Sequence, residues 1–205
     1  MEFDVDAILD FWFADSEQSE EEFHRRMEMW FLDPEFFDQA VLKYEPLIEY
    51  VANGHAVNVE SDPKGILASI IALDQFPRNI YRGKPQAFAY DSKALRLTNK
   101  VIESGLDRTM TYLERLFAYL PLQHSEDLQV QQLSVEMFGS LVDMAQTQAR
   151  MEQAQESLVY AEMHRDIIMR FGRFPHRNEI LDRESTAEEL QYLADGAETF
   201  GQVKK

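Results

Sequence analysis

Helix-start and helix-stop signals punctuate this chain from one end to the other, and alternating strand patterns are nearly missing, which points to an all-α fold. Asp33-Pro34 and Asp62-Pro63 each place an N-cap residue before a proline at the first helical position, where a missing amide does no harm. Ser19 with Glu22, and Ser185 with Glu188, have the capping-box spacing. Gly54, Gly105, Gly172 and Gly196 stand where helical patterns stop, as residues free to turn left-handed should. Apolar stripes fill the intervals at helical spacing: Leu67, Ile70 and Ile71; Val130, Met137, Leu141 and Met144; Tyr160, Ile167, Ile168 and Phe171. The pattern predicts helices near 4–14, 19–31, 34–52 with a kink or break at Pro46, 63–76, 85–104, 108–119, 125–147, 152–171, 176–182 and 186–195. Only 55–61, where Val57 and Val59 alternate, suggests extended chain. No flexible linker or low-complexity run divides the sequence, so residues 1–205 read as one helical domain, a bundle or short superhelix of about nine or ten helices.

Charge and composition exclude several functions. The chain has no cysteine, which removes disulfides, thiolate catalysis and cysteine metal sites, and fits a reducing compartment. The opening residues are acidic where a signal peptide is basic, and no apolar run approaches the roughly 20 residues that cross a bilayer. A cytoplasmic protein without membrane segments is the expectation. The net charge of −17 repels phosphate backbones and argues against nucleic acid. That charge is uneven: residues 63–124 carry 9 bases against 5 acids, a locally basic middle that could receive a small anion or be only a solvated surface.

Three polar segments stand out. Asp74-Gln75-Phe76-Pro77-Arg78-Asn79 and Arg173-Phe174-Pro175-His176-Arg177-Asn178 resemble each other, and each follows an apolar helix that its proline is expected to end. Their arginines either tie helix carbonyls or grip a carboxylate or phosphate. In the third segment, His124-Ser125-Glu126-Asp127, Ser125 is a natural N-cap, and Asp127 falls on the face of Val130, Ser134, Met137 and Leu141 and is expected to point inward. Asp74 continues the stripe of Leu67, Ile70 and Ile71, and a buried carboxylate needs a cation, so Asp74 or Asp127 is expected to pair with Arg78 or Arg177. His164, on an apolar face, reads as a hydrogen-bonded core residue or, with His124 and His176, as an acid or base in a pocket. No metal-binding spacing, Walker loop, paired-glycine fingerprint or nucleophile elbow occurs, so neither metal nor cofactor is expected. The clusters Phe11-Trp12-Phe13 and Trp30-Phe31 read as core.

Taken in order, these segments resemble the bacterial domain-of-unknown-function family numbered 924. The residues that carry the resemblance are Ile8 to Phe13, Leu73 to Gly83, Ala87 to Asp91, Tyr119 to Leu122, His124 to Asp127, His164 to Ile168 and Arg170 to Asn178, followed by Arg183 and Ser185-Thr186. The resemblance implies a tetratricopeptide-like helical fold with no settled activity. The chain departs from the family pattern in lacking a tryptophan after 54–60, in Asp182 where glycine is usual, and in Gln123 where glutamate is.

Two functions follow. One is a binding domain for a small anionic molecule or a protein or peptide, using Asp74, Arg78, Asn79, Arg82, His124, Asp127, His164, Arg173, His176, Arg177 and Asn178. The other is a small-molecule enzyme in which a His/Asp pair moves a proton and arginines orient an anionic substrate. Corner arginines and His164 converging on an open cleft favour a small-molecule site; the same residues sealed by mutual hydrogen bonds are fastenings of the fold.

Overall fold

A computed structural model describes the backbone of residues 3–32 and 34–201. Among them the α-helical segments are α1 (Val5–Phe13), α2 (Glu20–Met27), α3 (Pro34–Val41), α4 (Glu45–Ala52), α5 (Pro63–Ile70), α6 (Phe76–Ile80), α7 (Asp91–Ser104), α8 (Tyr112–Gln123), α9 (Leu128–Val142), α10 (Gln148–Phe171) and α11 (Ala187–Ala194). Short 3-10 turns link several of them, and no strand occurs among the described residues.

The centre is the rod formed by α5 and α6. Every residue from Gly65 to Asn79 is buried, as expected of a helix apolar on nearly all sides. It is packed against α1, α3, α4, α7 and α8. From α7 to α10 each helix packs beside the next across a short connection, folding back on its predecessor. Trp12 is the aromatic hub, with the rings of Trp30, Phe37, Phe76 and Phe117 centred 5.0–5.9 Å away. A smaller cluster of Ile167, Ile168 and Phe174 sits at the far end of α10.

Local chemistry explains the boundaries, including those the sequence misplaces. Asp62 caps α5, accepting from the Gly65 amide at 2.9 Å. Gly65 itself is required by close approach, because a Cβ there would lie 2.2 Å from the Val59 carbonyl oxygen. The 55–61 segment is not extended: Val57–Val59 is a 3-10 turn, and Val57 is exposed, so its alternation reflects no half-buried strand. Ser19 caps α2, but Glu22 turns to Arg25 and Arg26 rather than back to the cap. At α11 the reciprocal capping box is Thr186 with Glu189, one residue beyond the expected Ser185 and Glu188. The predicted helix over 34–52 is broken by a 3-10 turn at Leu42–Tyr44, just before Pro46. The predicted helix at 176–182 is only the 3-10 turn Pro175–Arg177. The Asp33-Pro34 cap lies outside the described residues.

Pro77 does not end its helix. A π turn at Ile71–Gln75 precedes it, with the Phe76 amide donating to the Ile71 carbonyl, so the rod widens by one residue and admits Pro77 in the first turn of α6. Pro121 likewise lies inside α8, which continues to Gln123 rather than stopping at 119. The second corner does end its helix: Gly172 closes α10 at φ 68, its amide donating to the Ile168 carbonyl.

Candidate functional site

Asp74 lies in the π turn, fully buried. Its Oδ1 accepts from His124 Nδ1 at 2.7 Å and lies 3.1 Å from the Arg78 guanidinium, and its Oδ2 accepts from Gln75 at 2.6 Å. Burial raises the carboxyl, but the charge of Arg78 and the hydrogen bonds from His124 and Gln75 outweigh it and keep the group below the ordinary carboxylate range. Asp74 is therefore ionised at neutral pH. His124 is shifted the other way: burial and Arg78 lower it, and Asp74 offsets them only in part. The ring is neutral, with Nδ1–H on Asp74 and the Nε2 lone pair left with no partner among the described residues.

A glutamine that resembles a misplaced core residue holds His124 in place. Gln131, wholly buried on α9, donates to the carbonyls of Gln123 and Ser125, both at 2.7 Å, and so ties the end of α8 and the turn that carries His124. The buried line of α9 is accordingly Gln131, Ser134, Phe138 and Leu141, offset from the predicted stripe. Asp127 is a correction. It is exposed and caps α9, accepting from the amides of Gln129 and Val130, and it does not point inward. That capping role, expected of Ser125, outcompetes burial because the helix N-terminus offers free amides.

His124 lines a cavity of about 300 Å³, the lower end of the size range of small-molecule sites. One wall is apolar, from Met27, Trp30, Phe31, Leu116, Leu120 and Phe138. The polar part of the lining includes Gln75, Asn79, Gln123, His124, Gln153 and His164, with Arg78 and Arg82. His164 donates Nδ1–H to the Tyr160 carbonyl at 2.7 Å, and burial lowers it well below the ordinary histidine range, so it too is neutral. The Asn79 side-chain oxygen is buried without a partner among the described residues. Two π turns feed this cavity: Glu28–Leu32 supplies Trp30 and Phe31, and Ile71–Gln75 supplies Gln75 and the Asp74 behind His124. Such turns often mark functional sites.

The two Phe-Pro corners do meet, but outside the cavity. Arg78 grips Asp91 with two bonds of 2.9 and 3.0 Å, and Arg177 reaches the same carboxylate at 3.4 Å. Arg177 is sandwiched between the rings of Phe88 and Phe174, 4.6 and 4.5 Å from its guanidinium carbon. Glu126 accepts from the Phe174 amide at 2.8 Å and pairs with Arg183 at 2.8 Å, locking the second corner to the start of α9. Arg173 pairs with Glu189 at 2.6 Å, and Asn178 donates to Ser185. His176 is buried beside Phe174; burial and Arg177 press it down to about 3. Of the residues singled out in the sequence, Asp74, Arg78, Asn79, Arg82, His124 and His164 gather at the cavity. Arg173, His176, Arg177 and Asn178 form the fastening beside it, and Asp127 joins neither. Sequence reasoning missed Asp91, whose partners are distant in the chain, and treated Trp30 and Phe31 purely as core. Among the described residues no group of three or more His, Asp or Glu is arranged to hold a metal ion. No described helix is long and apolar enough to cross a membrane.

Fold and site together define an all-α protein in which a buried ionic lattice backs a cavity of small-molecule size. Residues 8–197 match the family described as a bacterial protein of unknown function (DUF924), and the chain belongs to that family. It is also similar to a solved protein of unknown function, ATU0120 from Agrobacterium tumefaciens. The two are 33% identical, with a TM-score of 0.73 over 94% of this chain and 97% of that one. No curated protein matches the sequence. Asp182, where the family pattern has glycine, keeps the left-handed backbone at φ 53. Aspartate tolerates that conformation better than most residues.

Proposed function

We propose that the cavity between α2, α6, α8 and α10 binds a small, uncharged molecule with an apolar or planar part and a hydrogen-bond donor. The observation that carries this reading is the polar wall, where His124 and His164 are both neutral and the Nε2 of each has no partner among the described residues. A neutral imidazole nitrogen without a protein partner at the cavity accepts a hydrogen bond from a ligand's donor, and the Asn79 oxygen, buried without a partner among the described residues, gains from the same donor chemistry. The apolar wall supplies area for the rest of the molecule. An anionic ligand is less well supported, because the arginines already have carboxylates: Arg78 has Asp74 and Asp91, Arg82 has Asp38, and Arg177 has Asp91. One observation favours catalysis as a second reading. A neutral imidazole oriented by an ionised, buried carboxylate is the arrangement of a general base, and the Asp74–His124 pair has that form.

A thermal-shift screen with uncharged and anionic metabolites tests the reading. Ligands should stabilise wild type and fail with Ser157→Phe, which puts a ring into the cavity from α10. Ligands that stabilise both proteins equally would place binding elsewhere.

A further inference from the structure

Beyond α11 the chain turns back across the histidine wall of the cavity, which Glu198, Phe200 and Gly201 help to line. Phe200 stacks flat on His164, with ring centres 3.7 Å apart and planes inclined 24°. Tyr160, Phe174 and His176 surround the same ring at 6.3, 6.3 and 5.6 Å. The following carbonyl is held as well. Arg82, already bidentate on Asp38, donates to the Gly201 oxygen at 2.5 Å. Glu198 folds the turn by accepting from the amides of Thr199 and Phe200.

This segment is fastened by side chains rather than by regular structure. No helix includes any of 195–201. Phe200 sits at φ 51 in the left-handed region, which a bulky residue occupies only when its surroundings hold it there. Local opening in proteins is drawn from segments outside regular structure with few buried apolar contacts, and it leaves the core intact.

We propose that Glu198–Gly201 is a lid. The aromatic cage of Tyr160, His164, Phe174 and His176 binds an aromatic side chain, Arg82 binds the carbonyl that follows, and Phe200–Gly201 fills both places in the closed state. Closure covers His164 and one side of the cavity. Opening withdraws Phe200 from the cage and breaks the Arg82 hydrogen bond, and it is the step by which a molecule enters or leaves. The lid's role in ligand exchange rests on the cavity being a ligand site, but its contacts and their test do not.

Diethyl pyrocarbonate, which acylates neutral imidazoles, reads the lid directly when the modified histidines are followed by peptide mass spectrometry. In Phe200→Ala the rate at His164 should rise about tenfold, as expected when a largely closed state is removed. In Phe200→Tyr, which keeps a ring for the cage, it should remain near the wild-type rate, and exposed His55 should react alike in all three proteins. Equal His164 rates in wild type and Phe200→Ala would overturn the proposal. So would an equal rise in Phe200→Tyr, or acceleration of all five histidines together, which signals unfolding rather than lid opening. No ligand enters the experiment, so failure of the cavity reading would leave its result unchanged.

Discussion

Neutral buried histidines make this fold sensitive to mild acid, by an amount that follows from the structure. His164 and His176 are buried, and burial lowers both, His164 well below 6.5 and His176 to about 3. Their folded values lie below the unfolded value, so the unfolded chain takes up protons first as pH falls. The stability they contribute is complete above about pH 6.5 and drains away below it. At pH 5 a histidine that titrates at about 6.5 when unfolded but stays neutral when folded, as His176 does at about 3, costs about 2 kcal/mol, and His164, lowered in the same direction, adds to it. That is a large share of the 5–15 kcal/mol typical of a domain. Lower pH also relieves self-repulsion in a chain of net charge −17, which acts in the opposite direction. Comparison with His164→Gln/His176→Gln cancels that effect. Urea unfolding followed by circular dichroism at pH 8 and pH 5 should show wild type losing at least about 2 kcal/mol relative to the double variant. A difference between the two proteins that is the same at both pH values would show that these rings take up protons in the fold as readily as in the unfolded chain, contrary to their burial.

Three substitutions probe the lattice and the core. Asp74→Asn removes the charge shared by Arg78 and His124 and should cost about 3–5 kcal/mol in urea unfolding, the penalty of a broken buried pair. Unchanged stability would show that Asp91 alone satisfies Arg78. Arg177→Ala empties the slot between Phe88 and Phe174 and strips Asp91 of one partner; it should lower Tm by several degrees, about 2–4 kcal/mol, while leaving the cavity's ligands unchanged. Gly65→Ala drives a methyl group into the Val59 carbonyl and should destabilise by about 1–3 kcal/mol or more, the reverse of the usual gain from alanine in a helix.

What could be read from the sequence was what local chemistry decides. Asp62 before Pro63, and Gly105 and Gly172 at helix ends, act through the next few amides or carbonyls, and they appear where expected. The need of Asp74 for a cation was legible too, since a carboxylate on an apolar stripe has few ways to survive burial. The errors arise where distant groups decide. Asp127 shares a face with apolar residues, yet the free amides of α9 claim it. Gln131 breaks its stripe because the carbonyls at the end of α8 need a donor. Nothing short-range announces that Arg78 and Arg177 share Asp91, residues 13 and 86 positions away in the chain. The π turn before Pro77 adds one residue to a helix whose apolar pattern is nearly continuous, so periodicity does not reveal it. The lid depends on a ring near the end of the described chain meeting a cage built from α10 and the second corner.

The claim that a small molecule is recognised by the neutral His124 is tested most directly by crystallographic fragment soaking at pH 7.5. Density should appear in the cavity, with a ligand donor within about 3 Å of His124 Nε2. Fragments that bind repeatedly at other surfaces while this cavity holds only water, or a bound group that accepts a hydrogen bond from a protonated His124, would contradict it.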